Sequence, residues 1–248
     1  SDVLAGVLLG LLWIAALGIA FRRRVMRSFW VRPTATIFFV AVLGMAAWHG
    51  SRSAEATRER FDPPLALAPL DAAAWWEGAW ATELPERRNA RHAGNAWPLN
   101  VQYAGPLDGL RARLLLSGWE NYRPGGWHGL LQTLDKDVDP GSLPVLPATH
   151  EGRAEAMVMV RPGARADELR VLRLWQAPFR LQPGDQPLWQ GTVQVLRFTQ
   201  RMDFFRYWQA QPDEDALLDG LRHDASGLDA ALPPPGQPGR VLRLRAGG

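Results

Sequence analysis

The run Leu169-Arg170-Val171-Leu172-Arg173-Leu174-Trp175, followed after Gln182-Pro183-Gly184-Asp185 by Thr192-Val193-Gln194-Val195-Leu196-Arg197-Phe198-Thr199, decides the fold class. Both stretches read as strands. The Pro-Gly-Asp link between them is too short for a helical crossover and suits an antiparallel hairpin. Neither strand alternates strictly. Arg170 and Arg173 stand three apart, and the apolar set of the second stretch changes parity between Val195 and Leu196, which predicts a bulge or strong twist at both places.

Working outward, Leu99–Ala104, Glu155–Arg161 and Arg240–Arg245 carry the same strand signals, and Arg161-Pro162-Gly163 supplies a second tight link. Two amphipathic helices are expected. In the first, Leu107, Leu110, Leu114 and Leu115 repeat at helical spacing and Gly118 stands where a C-terminal cap glycine belongs. In the second, Asp213–Arg222, Pro212 and acidic residues open the helix, Leu217, Leu218 and Leu221 face inward, and Arg222 with His223 complements the dipole. The expected class is α+β: a mostly antiparallel sheet with a few helices on one side.

The chain has 248 residues, 47% of them apolar, which excludes intrinsic disorder and allows one domain with a small appendage. It has no cysteine, so disulfide scaffolds, cysteine zinc sites and thiol catalysis are excluded. A pI near 9.9 would suggest a nucleic-acid partner, but the charge is local. Residues 1–50 hold Arg22, Arg23, Arg24, Arg27 and Arg32 against Asp2 alone, and the remainder carries 23 basic and 24 acidic residues. No nucleic-acid partner is expected.

Val3–Phe21 and Pro33–Ser51 are each 19 residues without a charge, long enough as helices to span roughly 29 Å. A signal peptide would need positive charge ahead of the apolar stretch, whereas here the arginines follow it. Ala35–Trp48, the strongly apolar part of the second run, is short enough for a buried helix as well. Two transmembrane helices place the arginine loop in the cytoplasm and both flanks outside it. The expected domains are therefore 1–24 and 25–50 as membrane helices, 51–70 as linker and 71–248 as an extracytoplasmic domain. Gly6 and Gly10 would let another helix of the polypeptide approach closely. The opening Ser1-Asp2, without an initiator Met, is expected to continue a longer protein.

Ser1-Asp2-Val3-Leu4-Ala5-Gly6-Val7-Leu8-Leu9-Gly10 resembles the third signature of the type 2 phosphatidic acid phosphatase superfamily, over about residues 1–21. The resemblance implies that Asp2 orients a histidine nucleophile two positions ahead of Ser1, which takes up a phosphoryl group from a lipid phosphate or pyrophosphate. The histidine and the family's phosphate-binding elements are absent from this chain. The stretches Trp97-Pro98-Leu99-Asn100-Val101-Gln102-Tyr103-Ala104-Gly105, Leu143-Pro144-Val145-Leu146-Pro147, His150-Glu151-Gly152-Arg153-Ala154-Glu155, Val171-Leu172-Arg173-Leu174-Trp175 and Pro187-Leu188-Trp189-Gln190-Gly191 resemble the LssY-like C-terminal domain of bacterial membrane proteins, over about residues 95–200. That resemblance implies a DedA-like transporter domain and a lipid-phosphatase domain earlier in the same polypeptide and carries no established activity; with the topology above, the expected protein belongs to a bacterial inner membrane with its C-terminal domain in the periplasm.

Within the second resemblance, His150, Arg153 and Glu155 are the best local group. On a strand beginning near Ala154, Arg153 and Glu155 would share a face with His150 on the preceding loop, and the three could converge on a phosphate or carboxylate. The plainer reading is an Arg–Glu pair beside a hydrogen-bonded histidine. Asn100 and Gln102 alternate onto one face, either to read a polar headgroup or to satisfy buried backbone. Asp135, Asp137 and Asp139 begin like a calcium loop, but its twelfth position is Leu146 rather than a bidentate glutamate. No metal and no cofactor is expected. His128, His223 and Asp224 read as surface or cap residues, and core packing accounts for most of the twelve tryptophans.

Three functions remain in play. The chain is the C-terminal part of a lipid-phosphatase-like membrane protein, inactive alone, with the bilayer, a lipid phosphate and upstream helices as partners. Alternatively, the external domain is a non-enzymatic binding or docking module of the envelope. Or it is itself a hydrolase using His150 and Glu155.

Overall fold

The computed structural model describes residues 10–15, 18, 36–37, 39–50, 52, 65–78, 84–88, 97–122, 143–201, 205–211, 215–236 and 239–247. The chain divides into two compact units, Ser1–Arg60 and Phe61–Gly248. In the first, residues 10–15 and 39–50 are helical, and Leu11, Trp13, Val40 and Leu43 are exposed. Among the described residues no helix is long and apolar enough to cross a membrane. The two expected transmembrane helices are therefore not established. Asp2 and the arginine loop lie outside the described residues.

The second unit begins inside the expected linker, whose end forms strand β1, Ala68–Asp71, leading directly into helix α1, Ala72–Glu77. Asp71 caps that helix by accepting from the Ala74 amide at 2.7 Å. Then come β2 (Val101–Ala104), α2 (Leu107–Leu116), β3 (Glu120–Asn121), β4 (Thr149–His150), β5 (Arg153–Ala154) and β6 (Met157–Pro162). The long strands β7 (Glu168–Gln182) and β8 (Gln186–Arg201) follow, with β9 (Phe205–Ala210), α3 (Asp215–Asp224), β10 (Asp229–Ala231) and β11 (Leu242–Arg245) completing the chain.

Nine strands form one sheet in the order β10-β11-β2-β8-β7-β6-β3, with β1 added to β7 and β9 to β8, while β4 and β5 pair separately. β11 runs parallel to β2 and β1 parallel to β7; every other pair is antiparallel. The α+β reading holds, as a mixed sheet. Both expected hairpins are present, β6–β7 around Gly163 and β7–β8 around Gly184.

The predicted irregularities are not where the sequence pattern placed them. Pairing runs unbroken from Glu168↔Arg197 to Gln176↔Trp189, and the register shifts only between Gln176 and Arg180. That interval contains Pro178, which has no N–H to give a ladder and so favours a bulge. The parity change has another cause: both faces of the sheet are covered, so neither needs to be polar. Leu172, Leu174 and Val193 belong to one core cluster with Val101, Leu110, Leu114, Leu217, Leu218 and Leu221. Val171 and Leu196 belong to another with Leu143, Val145 and Trp208 on the reverse side. Close strand approach adds a constraint at Gly191, where a Cβ would fall 1.9 Å from the Arg173 carbonyl oxygen.

Helices α2 and α3 pack on the first face through the leucines just named, but α1 differs from the expectation of helices on one side. Its Trp75 joins a third cluster with Ala104, Ala177 and Leu188, and its indole N–H reaches the reverse face at Gln102 Oε1, 2.8 Å away. Leu115 was expected on the buried stripe of α2; it is 48% exposed, whereas Leu110 and Leu114 are buried and Leu107 packs beside them.

Candidate functional site

The reverse face is where β2, β8 and β7 place their polar side chains. Alternation puts Gln190, Thr192 and Gln194 of β8 on one side, and the ladder sets them beside Trp175, Arg173 and Val171 of β7, with Gln102 of β2 opposite Gln190. Asn100, Gln102, Arg173, Gln190, Thr192 and Gln194 are all buried, an unusual row of polar groups in a sheet interior. Asn100 precedes β2 and prolongs its pairing with side-chain atoms: Nδ2 donates to the Val193 carbonyl at 3.2 Å and Oδ1 accepts from the Val193 amide at 2.9 Å.

Over this face lies the segment from Leu143 to Glu155. Its β4–β5 hairpin turns at Glu151 and Gly152, both at positive φ (50° and 79°), as a tight two-residue hairpin loop requires. Glu155 fixes the segment to the sheet. Its Oε1 accepts from Arg173 Nη1 and from the Ala148 amide, while Arg173 Nη2 donates to the Leu146 carbonyl at 2.8 Å. The pair is nearly sealed, with side chains 8% and 7% exposed. Burial pushes the Arg173 guanidinium down from its usual range; Glu155 opposes that shift and Arg88 adds to it.

His150 is buried in β4 and pairs across the hairpin with Arg153. Its Nε2 lies 2.9 Å from Gln190 Nε2, and its ring meets Trp175 edge-on at 5.9 Å. Burial holds the imidazole below its ordinary pKa, against the pull of Glu151 and with the help of Arg88 and Arg153. His150 is a hydrogen-bonded member of the polar layer.

A cleft of about 520 Å³ opens beside this layer, lined by Arg88, Trp97, Leu146–Ala148, Arg173, Gln194, Leu196 and Tyr207–Ala210. Arg88 arrives on a short extended piece held to residues 97–99: its amide donates to the Trp97 carbonyl at 2.9 Å, the Leu99 amide donates to Glu86, and Arg87 bridges to Pro98. Burial lowers the pKa of Arg88, with Glu155 pulling it back. From β9, alternation aims Trp208 at this side, since it pairs with Phe198 and packs with Leu143 and Leu196. Its indole N–H donates to the Leu143 carbonyl at 3.2 Å.

The expected site residues fall as follows. His150, Glu155, Asn100 and Gln102 gather in or against the polar face. Arg153 sits at the hairpin across from His150, and Glu155 turns to Arg173 rather than to Arg153, since it lies between β5 and β6 and not on a strand with Arg153. Asp224 is not a surface residue. It is buried and accepts from Trp119 Nε1 at 2.9 Å and Arg161 Nη1 at 2.7 Å. Asp2 and Asp135, Asp137 and Asp139 lie outside the described residues, among which no group of three or more His, Cys, Asp or Glu is placed to hold a metal. Arg88, Arg173, Gln190, Thr192 and Gln194 were missed. The period-two row Gln190-Thr192-Gln194 inside an apolar strand was the available signal.

No curated protein and no solved structure matches the chain. Residues 81–202 do match the family described as the LssY C-terminus, a stretch starting earlier than expected and thus taking in Arg88 as well as Glu155, Arg173 and Gln194.

Proposed function

We propose that the second unit is a binding module that takes an anionic, partly apolar ligand into the cleft, and that it performs no chemistry there. The composition of the cleft wall carries this reading. Among the described residues its lining has two guanidinium groups, amides, aromatic rings and aliphatic side chains, and no His, Ser, Thr, Cys, Lys, Asp or Glu. Of that set only the Tyr207 hydroxyl can relay a proton, and among the described residues the lining pairs it with no carboxylate or imidazole. The two groups a hydrolase would use are committed to the protein itself, His150 to Gln190 and Glu155 to Arg173 and the Ala148 amide. A volume of 520 Å³ fits a small molecule, for which pockets span roughly 300–1,000 Å³.

Titrating the full chain with anionic amphiphiles while following tryptophan emission should give saturable changes, because Trp97 and Trp208 line the cleft. Turnover of a phosphoester by the chain, abolished by His150→Ala, would replace this reading with the hydrolase.

A second reading concerns the parent polypeptide and rests on Asp2-Val3-Leu4-Ala5-Gly6. The first unit then supplies the last helix of a lipid-phosphatase-like membrane domain, and the binding module works outside the cytoplasm of a bacterial inner membrane. The exposed apolar side chains at Leu11, Trp13, Val40 and Leu43 support a lipid environment for that unit. Upstream coding sequence should contain a histidine two positions before Ser1 and a Ser-Gly-His element. A C-terminal reporter active only in the cytosol would end this topology.

A further inference from the structure

Two donors on the cleft wall have no acceptor in the fold. Arg88 Nε and Gln194 Nε2 are both buried without a hydrogen-bond partner, and both residues line the same cleft with Arg173. Buried donors left unmade are costly, and native proteins rarely keep them without a purpose. Here they stand on separate segments, Arg88 before β2 and Gln194 on β8, with Arg173 on β7 as a third direction of approach.

Charge narrows the ligand. Among the described residues the wall carries two guanidinium groups and no carboxylate. Glu155 is the nearest compensating group, and its Oε1 is turned to Arg173 Nη1 and the Ala148 amide. Arg173 is thereby held in place, Nη1 donating to Glu155 and Nη2 to Leu146, while Arg88 Nε and Gln194 Nε2 are buried without an acceptor in the protein and must turn toward the cleft to meet a ligand. A tetrahedral phosphate with three strong acceptor oxygens uses donors from several directions, which a planar carboxylate does not. Phosphomonoesters carry about −1.5 to −2 at pH 7. Beside the donors, Trp97, Leu196 and Trp208 offer an apolar wall to whatever the phosphate is esterified to.

Building on the binding reading above, we infer that the cleft holds a phosphomonoester dianion, its oxygens accepting from Arg88 Nε and Gln194 Nε2 in the field of Arg173.

Hexyl phosphate, hexanoate and inorganic phosphate, each titrated into the full chain at pH 8, test this. Hexyl phosphate should bind at least roughly tenfold more tightly than hexanoate, and Arg88→Gln should weaken it roughly ten- to hundredfold. Gln194→Leu should weaken it too, and melting without ligand verifies that both variants fold. Inorganic phosphate binding as tightly as hexyl phosphate supports the headgroup and points to free phosphate as its source; a clear preference for the hexyl ester supports it and points to a lipid-like source. Hexanoate binding equally well, indifferent to Arg88→Gln, would overturn the phosphate assignment and leave the binding module standing. Saturable binding by none of the three would overturn both.

Discussion

On the face of β7 and β8 that meets α2 and α3, Leu172, Leu174 and Val193 are buried among aliphatic side chains; on the reverse, Arg173, Thr192 and Gln194 occupy the alternate positions of the same strands and are buried nearly as well. Burial is thus similar on the two sides and its chemistry is not. The apolar face gains free energy from removing hydrocarbon from water, about 25 cal/mol per Å². The polar face gains little from burial itself and depends on whether each donor and acceptor finds a partner. The comparison teaches that one face holds the fold and the other spends part of that stability on a prearranged site.

Breaking the buried ion pair should be the most damaging single change. Glu155→Leu leaves the Arg173 guanidinium sealed with only the Leu146 carbonyl as a named partner, and stability in urea should drop by about 3–5 kcal/mol. The double variant Arg173→Met, Glu155→Leu should regain much of that loss, because no charge remains buried. If the double variant is as unstable as the single, desolvated charge is not the controlling factor on this face.

Leu172→Ala attacks the other side, where the residue is 0% exposed among Val193, Leu174 and the helix leucines. A loss of about 2–5 kcal/mol is expected, as for cavities in aliphatic cores. The two faces separate in a second readout: affinity for hexyl phosphate should be unchanged by Leu172→Ala at temperatures where the variant is folded. A parallel loss of affinity would mean that the faces are not independent.

This division also explains what was legible in the sequence. The β6–β7 and β7–β8 hairpins and both long helices follow from local signals: Gly and Pro at the links, and leucines at helical spacing in α2 and α3. The parity change at Val195 and Leu196 was visible, but it looked like a bulge because alternation was judged against a sheet with one wet face. Only tertiary structure reveals a second covered face. Arg173 was passed over for the same reason. Arg88 was harder still, since nothing local links residue 88 to β7; the connection runs through the Arg87–Pro98 bridge. Asn100 and Gln102 were found because they stand out as polar residues at strand positions, His150 was found as an imidazole near Arg153 and Glu155 but expected on a loop rather than in β4, and Glu155 was found with the wrong arginine because its placement between β5 and β6 breaks the alternation used to pair it.

Protonation offers a smaller disturbance confined to the polar side. Burial keeps folded His150 below its ordinary value of 6.5, so on acidification the unfolded chain takes up a proton that the folded chain refuses. The contribution of His150 is complete above pH 6.5 and is lost progressively below it, down to the lowered pKa of the folded state. Urea midpoints of the natural protein and His150→Gln, compared between pH 7.5 and 5.5, should converge or cross as pH falls. Equal slopes would show that His150 titrates alike in both states, contradicting its burial against Trp175 and Gln190.

The smallest expected change has the most to say about why the polar face exists. Gln194 Nε2 is buried with no partner in the protein, so the ligand-free fold pays for an amide donor it does not use. Gln194→Leu removes that donor and leaves hydrocarbon beside Leu196 and Trp208, which share its cleft. Thermal unfolding of the unliganded variant should be unchanged or shifted upward by an amount worth up to about 1 kcal/mol, opposite in sign to the substitutions above. Added hexyl phosphate should then raise the melting temperature of the natural protein more than that of the variant, since only the natural protein completes the bond on binding. A residue chosen for the fold would show destabilisation without ligand and an equal ligand response. Stabilisation without ligand, joined to a weaker response with it, is the pattern of a side chain kept for what enters the cleft.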